Sequence, residues 1–114
     1  VNPDLILPSL ILVFVVWRGA TILRIRRQLP GLLAGGAQIL DVRSAAEFAG
    51  GHVPGSVNIP LNELSARHGE LDPARAVVAC CASGARSAMA CKILKSGPFP
   101  RVFNAGSWRA IPVR

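Results

Sequence analysis

The chain has no tyrosine, a single methionine and an aromatic share of only 5%, and six acidic residues stand against thirteen basic ones. So few aromatics leave no stacking surface for unpaired bases. The basic residues make no long run after Ala37, so the net charge of +7 is not read as nucleic-acid binding. Cysteine is scarce too. Three residues, two of them adjacent, make an odd count that fits no disulfide framework and points to reduced thiols. No Cys/His/Asp spacing suits a metal, no glycine-rich phosphate loop or dinucleotide fingerprint occurs, and there are no internal repeats. At 114 residues the chain can hold one small domain.

What is plentiful is apolar surface, 51% of residues, and it is unevenly spread. Residues 5–17, LILPSLILVFVVW, carry no charge, whereas Arg18–Gln28 hold four arginines and no acid. Thirteen residues of helix span about 20 Å, short of the roughly 30 Å hydrocarbon core, and extension to Leu23 reaches that length if Arg18 snorkels to the interface. Trp17 stands where an interfacial anchor belongs. Asp4 before the apolar run and arginines after it favour an uncleaved, single-pass anchor in the cell membrane with its carboxyl side in the cytoplasm. The expected division is therefore 1–28, membrane anchor and basic juxtamembrane segment, and 29–114, the folded domain. From Ala37 onward nine Lys/Arg against five Asp/Glu leave a milder +4.

Within the domain, strand-like and helix-like runs alternate. RRQLPGLLAGGA reads as a short amphipathic helical turn closed by Gly35 and Gly36, and QILDV as a strand. SAAEFAGG reads as a helix opened by a capping box of Ser44 and Glu47. GSVNIP is a second short strand, LNELSARHGE a helix, ARAVVAC a third strand, RSAMACKILKSG a helix with a glycine stop, and RVFNA a fourth strand. This alternation predicts an α/β fold, a parallel sheet with helices on both faces, preceded by a single transmembrane helix. In such sheets ligands bind beyond the carboxyl ends of strands, and CCASGARS lies at one of those ends, directly before a helix. Backbone amides there favour an anion or a thiolate. Either Cys80 or Cys81 could carry such chemistry.

DVRSAAEFAGGHVPGSVNIPLNEL (41–64), followed by VVACCASGARSAMACKIL, resembles a single-domain rhodanese, a sulfurtransferase family, over about residues 37–108. GHVPGSVNIP is similar to the family's Gly-His-Ile-Pro-Gly-Ala-x-Asn-Ile-Pro segment, and VFNAGSW to its closing strand and glycine turn. Two departures are evident: the strand often found before the first helix is missing, and the last helix is minimal. The active loop of the family is Cys-x-x-Gly-x-Arg, often with Ser next. That pattern registers on Cys81, with Gly84, Arg86 and Ser87 in place. From Cys80 the spacing to arginine is that of tyrosine phosphatases. Period-two alternation sends Val78 and Cys80 to one face of the strand and Val77, Ala79 and Cys81 to the other. Cys81 is thus the expected nucleophile and Cys80 buried filler.

The resemblance implies the rest of the site and its chemistry. Cys81 would take the sulfane sulfur of a small anionic donor such as thiosulfate, expel sulfite and pass the sulfur as a persulfide to cyanide, a thiol or a protein acceptor, with no cofactor. The loop from Ala82 through Ser83, Gly84 and Ala85 to Arg86 would bind the substrate, its amides forming an anion nest and Arg86 offering paired donors to an oxyanion. Asp41, Arg43 and Ser87 would support it, Arg43 pairing with Glu47 or a loop carbonyl. His52 is expected to order a turn, His68 to be solvated, and Cys91 to face the core. Two other readings stand beside the enzyme: a sulfur-relay or protein-recruitment module with little turnover, and a phosphatase or arsenate reductase, which the short loop disfavours.

Overall fold

The computed structural model describes residues 2–112. The first element is one helix, α1 (Pro3–Ala34), whose amino end is capped by Asn2 accepting from the Asp4 amide at 3.0 Å. It differs from the expected anchor plus short helical turn, because it passes position 28 without a break. Pro30 would ordinarily end a helix by removing a backbone donor, but both it and Arg26, whose carbonyl loses its partner, are exposed. The helix stops where Gly35 caps it and Gly36 turns the chain at φ +92°.

After it come β1 (Gln38–Asp41), α2 (Ala45–Ala49), β2 (Val57–Asn58), α3 (Leu64–Arg67), β3 (Val77–Cys81), α4 (Ala85–Lys95) and β4 (Val102–Ser107). The segment read as one helix, LNELSARHGE, is a single α turn, α3, between two short 3₁₀ turns. The capping box at Ser44 forms as expected, with the Glu47 amide donating to Ser44 Oγ and the Ser44 amide to Glu47 Oε1, each at 3.2 Å.

The sheet is parallel throughout, in the order β2-β1-β3-β4. The fully buried β3 is an unbroken apolar run, as a strand covered on both faces must be. Its alternation sorts two cores. Val77, Ala79 and Cys81 face α3 and α4, packing with Leu64, Ala90, Cys91 and Leu94. Val78 and Cys80 face the other way, onto Ala105, Ile111 and Leu29 of α1, with Ile25, Leu32 and Leu33 beside them. The carboxyl half of α1 therefore roofs the second face. Thr21, Ile25, Leu29, Leu32 and Leu33 lose exposure at helical spacing, while residues 2–20 are exposed throughout.

The β3–β4 pairing shifts by one residue between Ala79 and Cys80: Ala79 pairs with Asn104 but Cys80 with Gly106. The extra residue, Ala105, marks a bulge beside the carboxyl end of β3. Chain order reverses between β1 and β3, so the loops after those strands, 42–44 and 82–84, meet at the switch point of the sheet.

Candidate active site

Cys81 ends β3 with 1% of its surface exposed. The chain then turns through Ala82 and Ser83, both exposed, to Gly84 at φ +108°, and Ala85 begins α4. Gly84 is required twice over. Its φ lies in the left-handed region, and a Cβ there would stand 3.3 Å from the Gly106 Cα of the bulged strand. The turn brings amides back onto the sulfur: Gly84 N–H donates to Cys81 Sγ at 2.9 Å and Ser87 N–H at 3.4 Å. Burial alone would raise the thiol pKa, but the Ser87 hydroxyl and the amides of Ser87, Gly84 and Ser83 outweigh it and hold Cys81 below its ordinary value.

The hydroxyl of Ser87 has one proton and three acceptors within reach: Asn104 Oδ1 at 2.6 Å, the Gly84 carbonyl at 3.1 Å and Cys81 Sγ at 3.4 Å. With the thiol protonated, Asn104 takes that proton and Cys81 S–H can donate to Ser87 Oγ. As the thiolate forms, the hydroxyl can rotate to donate to sulfur. Asn104 is held for this by its own bonds, accepting from Gly106 N–H at 2.9 Å and donating to the Gly84 carbonyl at 3.2 Å. Sequence reasoning missed Asn104. The available signal was an asparagine inside an apolar strand two residues before a glycine.

The other two cysteines are chemically quiet. Burial pushes Cys80 up to about 12, with the nearby Asp41 charge adding to the rise, and pushes Cys91 up to about 11. Cys80 is fully buried on the α1 side, and Cys91 packs in the α4 core. All three thiols are free.

Arg86 lies in the first turn of α4, half-buried, with its guanidinium bound by both carboxylate oxygens of Glu47 at 2.7 and 3.0 Å. Its paired donors thus already face a carboxylate of the protein. That contact, together with the Ser44 amide, holds Glu47 down to about 2. Arg43, expected to pair with Glu47 or a loop carbonyl, reaches backbone carbonyls and takes its carboxylate from Asp41. It is buried and pairs with the fully buried Asp41 through Nε and Nη2, the shortest contact being 2.8 Å. It also donates to the carbonyls of Gly51 at 2.7 Å and Glu47 at 3.4 Å, and lies over the Trp108 ring at 4.6 Å. Asp41 Oδ1 accepts the Arg43 amide at 3.0 Å, so the pair fixes the loop after β1. A buried charge pair in which each nitrogen and oxygen has a partner orders a turn and would be costly to break from one side. His52 stacks on Phe48 at 3.7 Å and bonds the Phe48 carbonyl through Nδ1 at 2.7 Å, which orders the turn before β2.

The active loop is flanked by two open hollows. One, of about 480 Å³, has Arg86 on its wall with Ser44, Pro60 and Glu63. The other, of about 380 Å³, lies between the loop and α1.

A family model for the rhodanese-like domain matches residues 27–111. A rhodanese from E. coli solved with anions superposes with a TM-score of 0.64 at 31% identity, over 69% of this chain and 95% of that one. A human single-domain sulfurtransferase superposes at 0.62 with 32% identity, over 74% and 88%. Among curated relatives, a sulfurtransferase from Allochromatium vinosum is 38% identical over 66 residues, 58% of this chain and 62% of its own length. YrkF, a proposed sulfur carrier protein of Bacillus subtilis, is 42% identical over 66 residues, 58% of this chain but 36% of that protein. The chain thus spans about one to two thirds of the length of these curated relatives. The matched stretch holds the whole parallel sheet and the Cys81–Arg86 loop, and on that ground the chain belongs to the rhodanese-like family of sulfurtransferases and sulfur carriers.

Proposed function

We propose that this protein is a membrane-tethered sulfurtransferase in which Cys81 carries sulfane sulfur as a persulfide, from a thiosulfate-like donor to a thiol or cyanide. The observation that carries this reading is the set of amide donors converging on Cys81 Sγ at 2.9 and 3.4 Å, with a third from the Ser83 amide. The thiolate attacks the outer sulfur of the donor. A new S–S bond forms, the donor's own S–S bond breaks, and sulfite leaves with that electron pair. The loop amides then hold the persulfide anion as they held the thiolate. In the second half an acceptor takes the outer sulfur and the thiolate returns. Among the described residues α1 alone is long and apolar enough to cross a membrane, and its wholly exposed apolar window supports the tether. Arg18, Arg24, Arg26 and Arg27, which follow the apolar run within the same helix, favour a cytoplasmic domain.

The capture of Arg86 by Glu47 favours a second reading, sulfur relay between proteins, because it leaves less free positive charge for a small dianion. Intact mass after thiosulfate treatment tests the persulfide. The wild type and Cys80→Ala should each gain one sulfur, mapped to Cys81, and Cys81→Ser none. Sulfur retained by folded Cys81→Ser would remove Cys81 from the reaction. Turnover with thiosulfate and cyanide then separates enzyme from relay, since a relay protein loads once and stalls.

A further inference from the structure

The hollow between α1 and the active loop takes no part in the chemistry above, and Cys81 does not line it. One wall is α1, with Arg18 and Arg26 beside Trp17 and Ile22. The opposite wall is the rim of the domain, at Gly84 of the active loop and Ser107 at the end of β4. Its volume is about 380 Å³, and no acidic residue lines it. Among the described residues neither arginine pairs with a carboxylate, whereas Arg43, Arg67 and Arg86 all do. Arg18 has instead the ring of Phe14, 6.0 Å away toward the amino end of the helix.

Height on the helix decides what can fill this hollow. Residues 5–20 are exposed and make about 24 Å of helix, against the roughly 30 Å of a hydrocarbon core, and packing on the domain begins at Thr21. With α1 across a bilayer, no length remains to hold the domain away from it. The end of the sheet that then meets the headgroups is the one carrying the active loop. Trp17 to Arg26 flank Gly84 and Ser107, while Gly31 and Gly35 lie beside Ala76 and Arg101, at the opposite end of the strands.

We propose that this hollow seats the phosphate of an anionic phospholipid between Arg18 and Arg26, a reading that rests on the proposed tether and names the lipid class at its interface. The active-loop end of the domain is thereby held on the headgroup layer. Two guanidiniums with no acid beside them match a phosphodiester. Trp17 and Ile22, 60% and 45% exposed, meet the first carbons of acyl chains that continue along the apolar half of α1. A free oxyanion would leave that apolar wall unused. A zwitterionic headgroup offers the same phosphate but adds a cation where two already stand. Arg24 and Arg27 line a hollow made by α1 alone, so they have no second wall with which to hold a headgroup.

The test uses the full chain in micelles of a neutral, sugar-headgroup detergent, which supplies no competing anion. Dioctanoyl phosphatidylglycerol and dioctanoyl phosphatidylcholine are added in equal amounts, and bound lipid is read by native mass spectrometry. The wild type should retain phosphatidylglycerol over phosphatidylcholine by about tenfold or more. Arg18→Gln/Arg26→Gln, shown folded by circular dichroism, should lose that preference. Arg24→Gln/Arg27→Gln, with the same change in net charge, should keep it. Inorganic phosphate in large molar excess should displace little of the bound lipid. No preference in the wild type, a preference that survives in the first pair, equal loss in both pairs, or ready displacement by inorganic phosphate overturns the lipid site. Flotation with phosphatidylcholine vesicles in high salt tests the tether separately, because those vesicles carry no net charge. Wild type that floats but shows no lipid preference keeps the tether and loses the headgroup site. Wild type stripped by salt, with its preference intact in micelles, keeps the phosphate site and loses the span.

Discussion

A thiol with 1% of its surface exposed would be a weak nucleophile were burial the only influence on it, as Cys80 one position earlier demonstrates. The two differ in where the next turn points its amides: Cys80 meets none, and Cys81 receives those of Gly84 and Ser87. The consequence is a pH dependence. Alkylation of Cys81 by iodoacetamide should rise through a midpoint below the roughly 8.5 of a free thiol, while Cys80 and Cys91 stay unreactive in the folded protein. Because the folded pKa is the lower one, the same bonds stabilise the fold above the free-thiol range, and that contribution is lost as pH falls through the folded value. A midpoint at or above that of a free thiol, read by mass spectrometry across pH, would contradict the role given to the amides. Glu47 offers a second test. Glu47→Gln keeps a capping side chain for the Ser44 amide but removes the charge that occupies Arg86. Freed, Arg86 should draw anionic donors, so the KM for thiosulfate should fall severalfold with kcat little changed. An unchanged or higher KM would mean that Arg86 works only as a brace between α2 and α4. The nucleophile itself was legible in the sequence, from strand alternation and the Cys81–Gly84–Arg86 register. The Glu47–Arg86 contact was not, because its partners lie 39 positions apart and meet only when two parallel strands set their following helices side by side.

At the scale of elements, the sheet and α4 could be read from alternating apolar runs, glycine stops and a capping box, all of them local signals. The extent of α1 could not. Pro30 and the glycines at 31, 35 and 36 carry every mark of a helix end, and what overrides the first two is tertiary: Leu29, Leu32 and Leu33 close the face of the sheet that Val78, Cys80 and Ala105 leave open. The helix therefore has two jobs divided along its length, an exposed apolar half and a packing half. Packing begins at Thr21, within the continuous helix. Leu29 is fully buried, so Leu29→Ala should destabilise the domain by about 2–5 kcal/mol. A fragment beginning at residue 21 keeps the whole packing stripe and should melt higher than one beginning at 29, which loses Ile25. Equal melting temperatures would show that α1 contributes nothing to the fold before Leu29.

For the whole molecule the continuity of α1 matters more than its length. Residues 5–20, the stretch of α1 ahead of the packing half, make about 24 Å of helix against the roughly 30 Å of a hydrocarbon core, and the same helix enters the domain at Thr21 with no linker between. A tether of that kind sets the orientation of the domain as well as its location. Under the proposed tether Trp17 and Arg18 would lie near the interface, and because both also line the hollow beside the active loop, that hollow would open at the membrane surface. The full chain should accordingly sediment with membranes, resist extraction by high salt, and come free only in detergent. The active loop should be shielded from protease added outside intact cells. An amphipathic helix lying on the surface would instead hold by charge and a shallow apolar face, and salt would weaken it strongly. From Leu5 to Trp17 the exposed stretch of α1 carries no charge and one polar side chain, Ser9, which bonds back to the Leu5 carbonyl, so no polar face runs along it to lie toward water. Release of the full chain by salt alone would overturn the span, and with it the placement of the cleft at the membrane surface, while leaving the chemistry of Cys81 untouched.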